Sequence, residues 1–178
     1  MLSLERGIEA DSFLINYGHW HVREMQLDAP KVKWLWGEMQ QYTSLFSDLT
    51  RNNEKIFISV IQDPFSYWLE IVDDDENIVG VLYLTELYKT IDANMHLIFF
   101  DRRPSEKAPL VRDIIKYLFE KFPYLHRITA SFPDIYHATL RLAKRVGMIE
   151  EGRRREAILI KRKWCNEVIF GILSSDVT

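Results

Sequence analysis

The last third of the 178-residue chain carries the pattern that most restricts its fold. Apolar residues recur there at helical spacing and predict an amphipathic helix. Those residues are Ile135, Ala138, Leu142 and Val146. Asp134 is the predicted N-cap, and Gly147 stands where the end of a helix favours a left-handed residue. Two β-rich segments, 156–160 and 167–173, follow, so the sequence predicts a helix packed against two final strands.

Strand and helix patterns also alternate through the earlier part of the chain. The expected strands are 20–25, 66–72, 78–84, 94–100 and 128–132, and the expected helices begin at Pro30, at 56 and at 110. This order predicts one α/β (α+β) domain, with helices on both faces of a mixed, mostly antiparallel, twisted sheet of six to seven strands. Residues 1–20 show no clear period, so we expect them to be an N-terminal extension to a domain of residues 21–178.

Composition argues against several classes of protein. The apolar runs are shorter than the roughly 20 residues that cross a membrane, and the charged first residues are unlike a signal peptide. The single cysteine, Cys165, cannot form an internal disulfide, so we expect a cytoplasmic protein with no membrane contact. His19 and His21 share one face of a predicted strand without a third ligand, so no metal site is expected.

Charge is distributed unevenly along the chain. Residues 1–89 contain 7 Lys and Arg against 15 Asp and Glu, whereas residues 90–178 contain 16 against 11. The positive half suits an anionic ligand and the acidic half a cationic one, although an uneven solvated surface is the alternative. Basic residues are interleaved with acidic ones and the pI is near 6.0, so we expect no nucleic-acid partner.

The order of the C-terminal elements resembles the end of GNAT-superfamily N-acetyltransferases. The helix ends at Gly147-Met148, Glu151-Gly152 follows, and two strands close the chain. The resemblance is to the branch that acetylates ribosomal-protein N-termini, polyamines or aminoglycosides. It covers the chain from about residue 20 to 173, and it implies the GNAT fold, acetyl-CoA as the acetyl donor and an amine as the acceptor.

The resemblance also implies where acetyl-CoA would bind. In this superfamily it lies between the fourth and fifth strands, and its pyrophosphate meets backbone amides at the start of the next helix. The corresponding residues are Phe99, Phe100, Arg103, Lys107, Ala108 and Thr139. The phosphate loop departs from the family pattern, because Glu106 occupies the central glycine position and Pro109 has no N–H group. The loop is therefore predicted to be degenerate.

Three side chains are candidates for proton transfer. His96 lies on the strand position where related enzymes often carry Glu, and Glu86, near the end of the preceding strand, can act through water. Packing in the sheet is the alternative role for both. Ala143 stands where related enzymes carry a tyrosine acid, so Tyr136 is the candidate acid in its place.

Two functions are compatible with these patterns. The first is an acetyl-CoA-dependent N-acetyltransferase acting on a primary amine of a small molecule or protein. The second is a catalytically inactive GNAT-fold protein that binds a protein partner as a component of a larger assembly, with a viral assembly as one option. Trp34 and Trp36 cannot share one helix face, so one of them is expected to be exposed in an acceptor groove or at a homo-oligomer contact.

Overall fold

The computed structural model describes residues 12–42, 47–48, 50–87, 91–100 and 107–177. This part of the chain forms eight strands and four helices. In chain order they are β1 (Ile15–Tyr17), β2 (Trp20–Glu24), α1 (Ala29–Gln40), α2 (Glu54–Ile61), β3 (Tyr67–Asp73), β4 (Ile78–Thr85), β5 (Asp92–Phe99), α3 (Lys107–Lys121), β6 (Arg127–Pro133), α4 (His137–Val146), β7 (Ile149–Ile160), β8 (Lys163–Leu173) and a closing 3-10 turn (Ser174–Asp176).

The strands form a single mixed sheet in the order β1-β2-β3-β4-β5-β6-β8-β7. Neighbouring strands run antiparallel except β5 and β6, which run parallel. The predicted α/β (α+β) domain with a mostly antiparallel sheet is confirmed. The strand that the sequence did not indicate is β1. It pairs with β2 and lies within the segment 1–20 that was expected to be an extension.

Alternation along the strands gives each face of the sheet its own apolar cluster. On one face Leu69, Ile71 and Leu82 pack with the inner side of α3 and with α4. The α3 residues in this cluster are Leu110, Val111, Ile114, Ile115 and Leu118. On the other face Trp68 and Val81 pack against α1 and α2. Helices therefore cover both faces, as predicted, and the site described below lies between the two layers.

Local sequence signals fix the starts and ends of the first three helices. Asp28 caps α1 by accepting a hydrogen bond from the Lys31 backbone N–H at 2.8 Å. Asn53 caps α2 in the same way, and the predicted helix that stops before Pro123 is α3. In the described part of the chain, no helix is both long enough and apolar enough to span a membrane.

Helix α4 confirms one predicted cap and corrects the other. Gly147 ends the helix with φ 103°, in the left-handed region, and a Cβ there would lie 2.7 Å from an Arg112 nitrogen. Asp134 is not the N-cap. The backbone N–H of Tyr136 bonds to the Pro133 carbonyl at 3.0 Å, so a turn delays the helix and leaves Tyr136 as its N-cap. Asp134 instead accepts a hydrogen bond from Asn166.

A buried carboxylate ties α1 to the sheet. The Glu70 side chain is 1% exposed and accepts hydrogen bonds from Arg23 at 2.7 Å and Lys31 at 2.8 Å. Arg23 also contacts Glu76 on the surface at 3.4 Å. Because removing one member of a buried ion pair leaves desolvated charge without its partner, Glu70 should matter far more to stability than Glu76 does.

We predict that Glu70→Ala lowers the free energy of unfolding by about 3 kcal/mol, since two cations lose a shared buried partner. Glu76→Ala is the matched control. Its side chain is 67% exposed, and exposed ion pairs contribute less than about 1 kcal/mol. Urea unfolding of the two variants measures the difference. Equal losses would contradict the importance assigned to the buried contact.

Candidate active site

The parallel pairing between β5 and β6 is short. It covers three residues on each strand, after which no further pairs form along these two described strands. The paired residues are Asp92 with Arg127, Ala93 with Ile128, and Asn94 with Thr129. Beyond them β5 stays paired with β4, and β6 stays paired with β8 as far as Pro133. The two halves of the sheet therefore diverge, and a wedge-shaped gap opens between them.

Backbone groups of β5 face this gap. The Phe100 N–H bonds to the Val79 carbonyl at 2.8 Å, which fixes the alternation of hydrogen bonds between β5 and β4. Every second residue of an antiparallel strand directs its N–H and C=O groups to the same neighbour. Leu97 and Phe99 therefore direct theirs away from β4, toward the gap. Such strong hydrogen-bonding groups favour a ligand with matching amide groups.

Two cavities meet at the gap. The smaller, of about 440 Å³, lies on the α3 and α4 side and reaches Lys107 at the start of α3. The larger, of about 730 Å³, lies on the α1 and α2 side and reaches Trp68 and Tyr83. Leu97, Phe132 and other residues of β5, β6 and α4 line both cavities. The gap is therefore open to both layers of the fold, as a site for two ligands would be.

His96 lies at the junction of β5 with the larger cavity. Its imidazole stacks on the Tyr83 ring, with the centroids 4.6 Å apart, and its Nε2 lies 3.3 Å from the Thr85 hydroxyl. The side chain is exposed and faces the cavity, whose walls partly withdraw it from bulk water. This desolvation lowers the pKa of His96 to about 4, against an opposing influence from the charge of Glu86. The imidazole is therefore neutral near pH 7.

Tyr136 lines the same larger cavity from the start of α4. Desolvation raises the pKa of its hydroxyl, and nearby Cys165 and Asp48 act in the same direction. The phenol therefore stays protonated at neutral pH and can donate a proton or a hydrogen bond. Glu86 follows β4 with φ 62° and acts on His96 through its charge, but it is not among the residues that line the cavity.

The residues expected to hold acetyl-CoA differ in their placement. Phe99 and Lys107 both line the smaller cavity, and the Lys107 ammonium lies 4.4 Å from the centroid of the Phe99 ring. Thr139 lines both cavities. Ala108 is 5% exposed and packs in the core, so only its backbone is suited to a ligand contact. Phe100 has its N–H bonded to Val79 and its carbonyl bonded to the Tyr42 hydroxyl.

Two of the residues discussed from the sequence, Arg103 and Glu106, lie outside the described residues. The described start of α3 adds two observations. Helices leave their first N–H groups without intrahelical partners, so Ala108 is placed to supply an amide, whereas Pro109 has none. Ala143 lines the smaller cavity, and it brings no hydroxyl to that wall.

Sequence analysis missed several residues of the larger cavity. They are Asn53, Trp68, Tyr83, Ser131 and His137. Trp68 and Tyr83 belong to strands that were predicted. Trp68 pairs with Tyr83, and Tyr83 pairs with His96, so the three side chains lie on the same face of the sheet. Once the register between strands is known, the residues opposite His96 on the neighbouring strands can be identified as its ring partners. The register itself is a tertiary property, so the sequence did not reveal it.

A sheet of this order, split between a parallel pair of strands, with a helix starting beside the gap, defines the GNAT fold of N-acetyltransferases. No family model matches the sequence, and no curated protein matches it. Solved structures do match in fold. Spermidine N-acetyltransferase from Vibrio cholerae, in complex with CoA and spermine, is 18% identical with a TM-score of 0.73, over 90% of this chain and 99% of that chain.

Two further structures of the Vibrio cholerae enzyme agree with this comparison. A point mutant of it is 17% identical with a TM-score of 0.74, over 90% of this chain and 97% of that one. A dodecameric structure is 18% identical with a TM-score of 0.70, over 89% of this chain and 96% of that one. At such identities the likeness shows the fold, and the predicted GNAT fold is confirmed.

The proton affinity of His96 gives a direct test of the site. Folding lowers the pKa of His96 from its ordinary 6.5 to about 4, so its imidazole resonances should titrate in NMR spectra with a midpoint near 4. The same residue in urea-unfolded protein should titrate near 6.5. Its contribution to stability is present above pH 6.5 and is lost as the pH falls toward 4. A titration midpoint at or above 6 for His96 in the folded protein would contradict its desolvation by the cavity walls.

Proposed function

We propose that the protein is an acetyl-CoA-dependent N-acetyltransferase that transfers an acetyl group to a primary amine of a small molecule or protein. The observation that carries this proposal is the gap between β5 and β6, with a cavity on each side and backbone groups of Leu97 and Phe99 directed into it. Two substrates can enter from opposite layers and meet beside His96. CoA and spermine in the Vibrio cholerae structure support this assignment.

The smaller cavity has features that fit acetyl-CoA. Leu97 and Phe99 offer the hydrogen-bonding edge of a strand to the amide groups of a pantetheine arm. Lys107 and Arg145 line the same cavity and bring positive charge, and the start of α3 adds N–H groups suited to phosphate. When bound, the donor supplies an activated acyl group as a thioester. These residues orient it and leave its reactive end at the junction with the larger cavity.

His96 is suited to take a proton late in the reaction. A free alkylamine has a pKa of about 10, so an imidazole whose pKa is about 4 cannot remove a proton from the ammonium form efficiently. The amine must therefore enter as its free base, with its ammonium proton left in water. Its nitrogen becomes more acidic once it bonds to the acyl carbon, and the neutral imidazole can then accept one proton from it. The charge of Glu86 raises the proton affinity of His96 and so favours this role.

Tyr136 is suited to be the proton donor for the departing sulfur. It lines the same cavity as His96, and its raised pKa keeps the hydroxyl protonated. This role would replace the hydroxyl that Ala143 lacks. The two residues therefore have separate roles. His96 accepts a proton from the nitrogen, and Tyr136 donates a proton to the sulfur.

A second function, a binding module without catalysis, has support of its own. Pro109 removes one amide from the first turn of α3, and Ala143 offers no acid at the wall of the smaller cavity. A protein partner or a larger assembly would then take the place of the substrates. The dodecameric state of the Vibrio cholerae enzyme supports a homo-oligomer in either case, and Trp34, 39% exposed on α1, is a candidate contact.

Calorimetric titration with acetyl-CoA, followed by mass spectrometry of an amine panel, tests the proposal. We expect micromolar binding and acetylated product. Tyr136→Phe and His96→Gln should each lower kcat about 100-fold, because general acid and base catalysis contribute on that order, and neither should change the affinity for acetyl-CoA more than about threefold.

The matched controls are Tyr124→Phe, at a tyrosine that is 83% exposed, and His126→Gln, at a surface histidine outside both cavities. Both should keep full activity. If acetyl-CoA does not bind at millimolar concentration, the enzyme is excluded and the binding module is favoured. If it binds but both site variants match the controls in rate, the roles of His96 and Tyr136 are wrong.

A further inference from the structure

Three rings form a continuous stack across the floor of the larger cavity. Trp68, Tyr83 and His96 stand directly opposite one another on β3, β4 and β5. The Trp68 and Tyr83 centroids are 4.0 Å apart with planes inclined by 10°, and those of Tyr83 and His96 are 4.6 Å apart with planes inclined by 14°. We name these three side chains the aromatic stack. Burial decreases along it, from Trp68 at 4% exposed to His96, which faces the cavity.

The stack stops where the sheet splits. If the parallel register of β5 and β6 continued past Asn94 and Thr129, His96 would stand opposite Ser131. Adjacent strands are about 4.8 Å apart, so a β6 side chain would cover the outer side of the imidazole. Ser131 instead lies across the cavity and donates its hydroxyl hydrogen to Glu167. The next position in the stack is therefore cavity space.

The rest of the lining is largely apolar, and its polar members include Thr50, Asn53 and Ser131. Phe57 forms part of one wall, and Ile56 and Ile135, which are 42% and 46% exposed, lie at the surface of the cavity on α2 and before α4. Among its described lining residues there is no Asp, Glu, Lys or Arg. Bringing several cationic nitrogens against such a lining would carry a desolvation cost, because the nearby carboxylates, Glu86 and Asp48, act on His96 and Tyr136 through their charge but are not lining residues. The volume of about 730 Å³ is ample for a small molecule.

We propose that the acetyl acceptor is a primary monoamine with a planar aromatic group, and that this group lies against His96 as the fourth ring of the aromatic stack. The proposal rests on the proposed function, because it names the acceptor of that reaction. Offset-stacked rings attract one another beyond their buried area, and one amino group near His96 leaves no further charge in the cavity. This proposed acceptor, an aromatic monoamine, differs in class from the spermine bound to the Vibrio cholerae enzyme.

The test compares 2-phenylethylamine, hexylamine and spermidine as acceptors at saturating acetyl-CoA. We expect kcat/KM for 2-phenylethylamine to exceed that for spermidine at least about tenfold and that for hexylamine about threefold to tenfold, the range that one ring stack contributes. If spermidine is equal or better while acetyl-CoA binds and turns over, the acceptor class is wrong and the proposed function stands.

Variants of Tyr83 separate stacking from simple size. Tyr83→Leu removes the middle ring and should bring the ratio of 2-phenylethylamine to hexylamine close to one, with the affinity for acetyl-CoA unchanged. Tyr83→Phe keeps the ring and should keep the ratio. If Tyr83→Leu does not fold, the Phe variant and the acceptor panel still decide. An unchanged ratio in a folded Tyr83→Leu protein would overturn the stacking role.

Binding without turnover distinguishes the two proposals. If no acetyl transfer occurs, calorimetry with 2-phenylethylamine and with spermidine alone tests the cavity directly. Tighter binding of 2-phenylethylamine would retain the chemistry assigned to the cavity while the enzymatic function fails. No binding of 2-phenylethylamine, or tighter binding of spermidine, would overturn the inference.

Discussion

Three consecutive parallel pairs join β5 to β6, and the rest of the site depends on where that pairing ends. The paired end is held by Asp92, which accepts a hydrogen bond from Thr129 at 3.1 Å and lies 4.0 Å from the Arg127 guanidinium. Past this point each strand keeps its outer neighbour, β4 for β5 and β8 for β6. The sheet divides there, with β5 still paired to β4 and β6 still paired to β8. The division leaves the hydrogen-bonding edge of β5 facing two cavities.

The two layers of the fold give the gap two different chemical environments. The α3 and α4 side brings Lys107, Arg145 and the first amides of a helix, all suited to an anionic donor. The α1 and α2 side brings apolar helix residues and aromatic rings, and it desolvates the imidazole of His96. In the reaction that we propose, between an anionic thioester and an amine, this asymmetry would let charge hold the donor while proton transfer takes place in a largely apolar environment.

The sequence was sufficient for the fold, and it indicated some of the residues that line the candidate site. Helical periodicity located α3 and α4, and Gly147 marked the end of α4 because a left-handed residue is needed there. The resemblance to N-acetyltransferases then directed attention to His96 and Tyr136, which the structure places around one cavity. The cap of α4 was misplaced by two residues, because a turn at Pro133 delays the helix. Pro133-Asp134 is a local signal for such a turn, but Asp134 was interpreted as a helix cap instead. The aromatic partners of His96 were missed for a different reason. Their proximity depends on strand register, which is fixed by packing across the sheet and not by neighbours in sequence.

We propose that the acetyl donor binds in the gap between β5 and β6, and amide hydrogen exchange measured by NMR with and without CoA is the measurement that would decide it. The Leu97 and Phe99 amides point into the gap, whereas the alternation of hydrogen bonds directs the Ile98 amide to β4. If CoA binds there, it should slow exchange at Leu97 or Phe99 at least about tenfold and leave Ile98 little changed, because a new hydrogen bond protects only the amides in the gap. Unchanged exchange at Leu97 and Phe99 with saturating CoA, or equal slowing at all three amides, would contradict it.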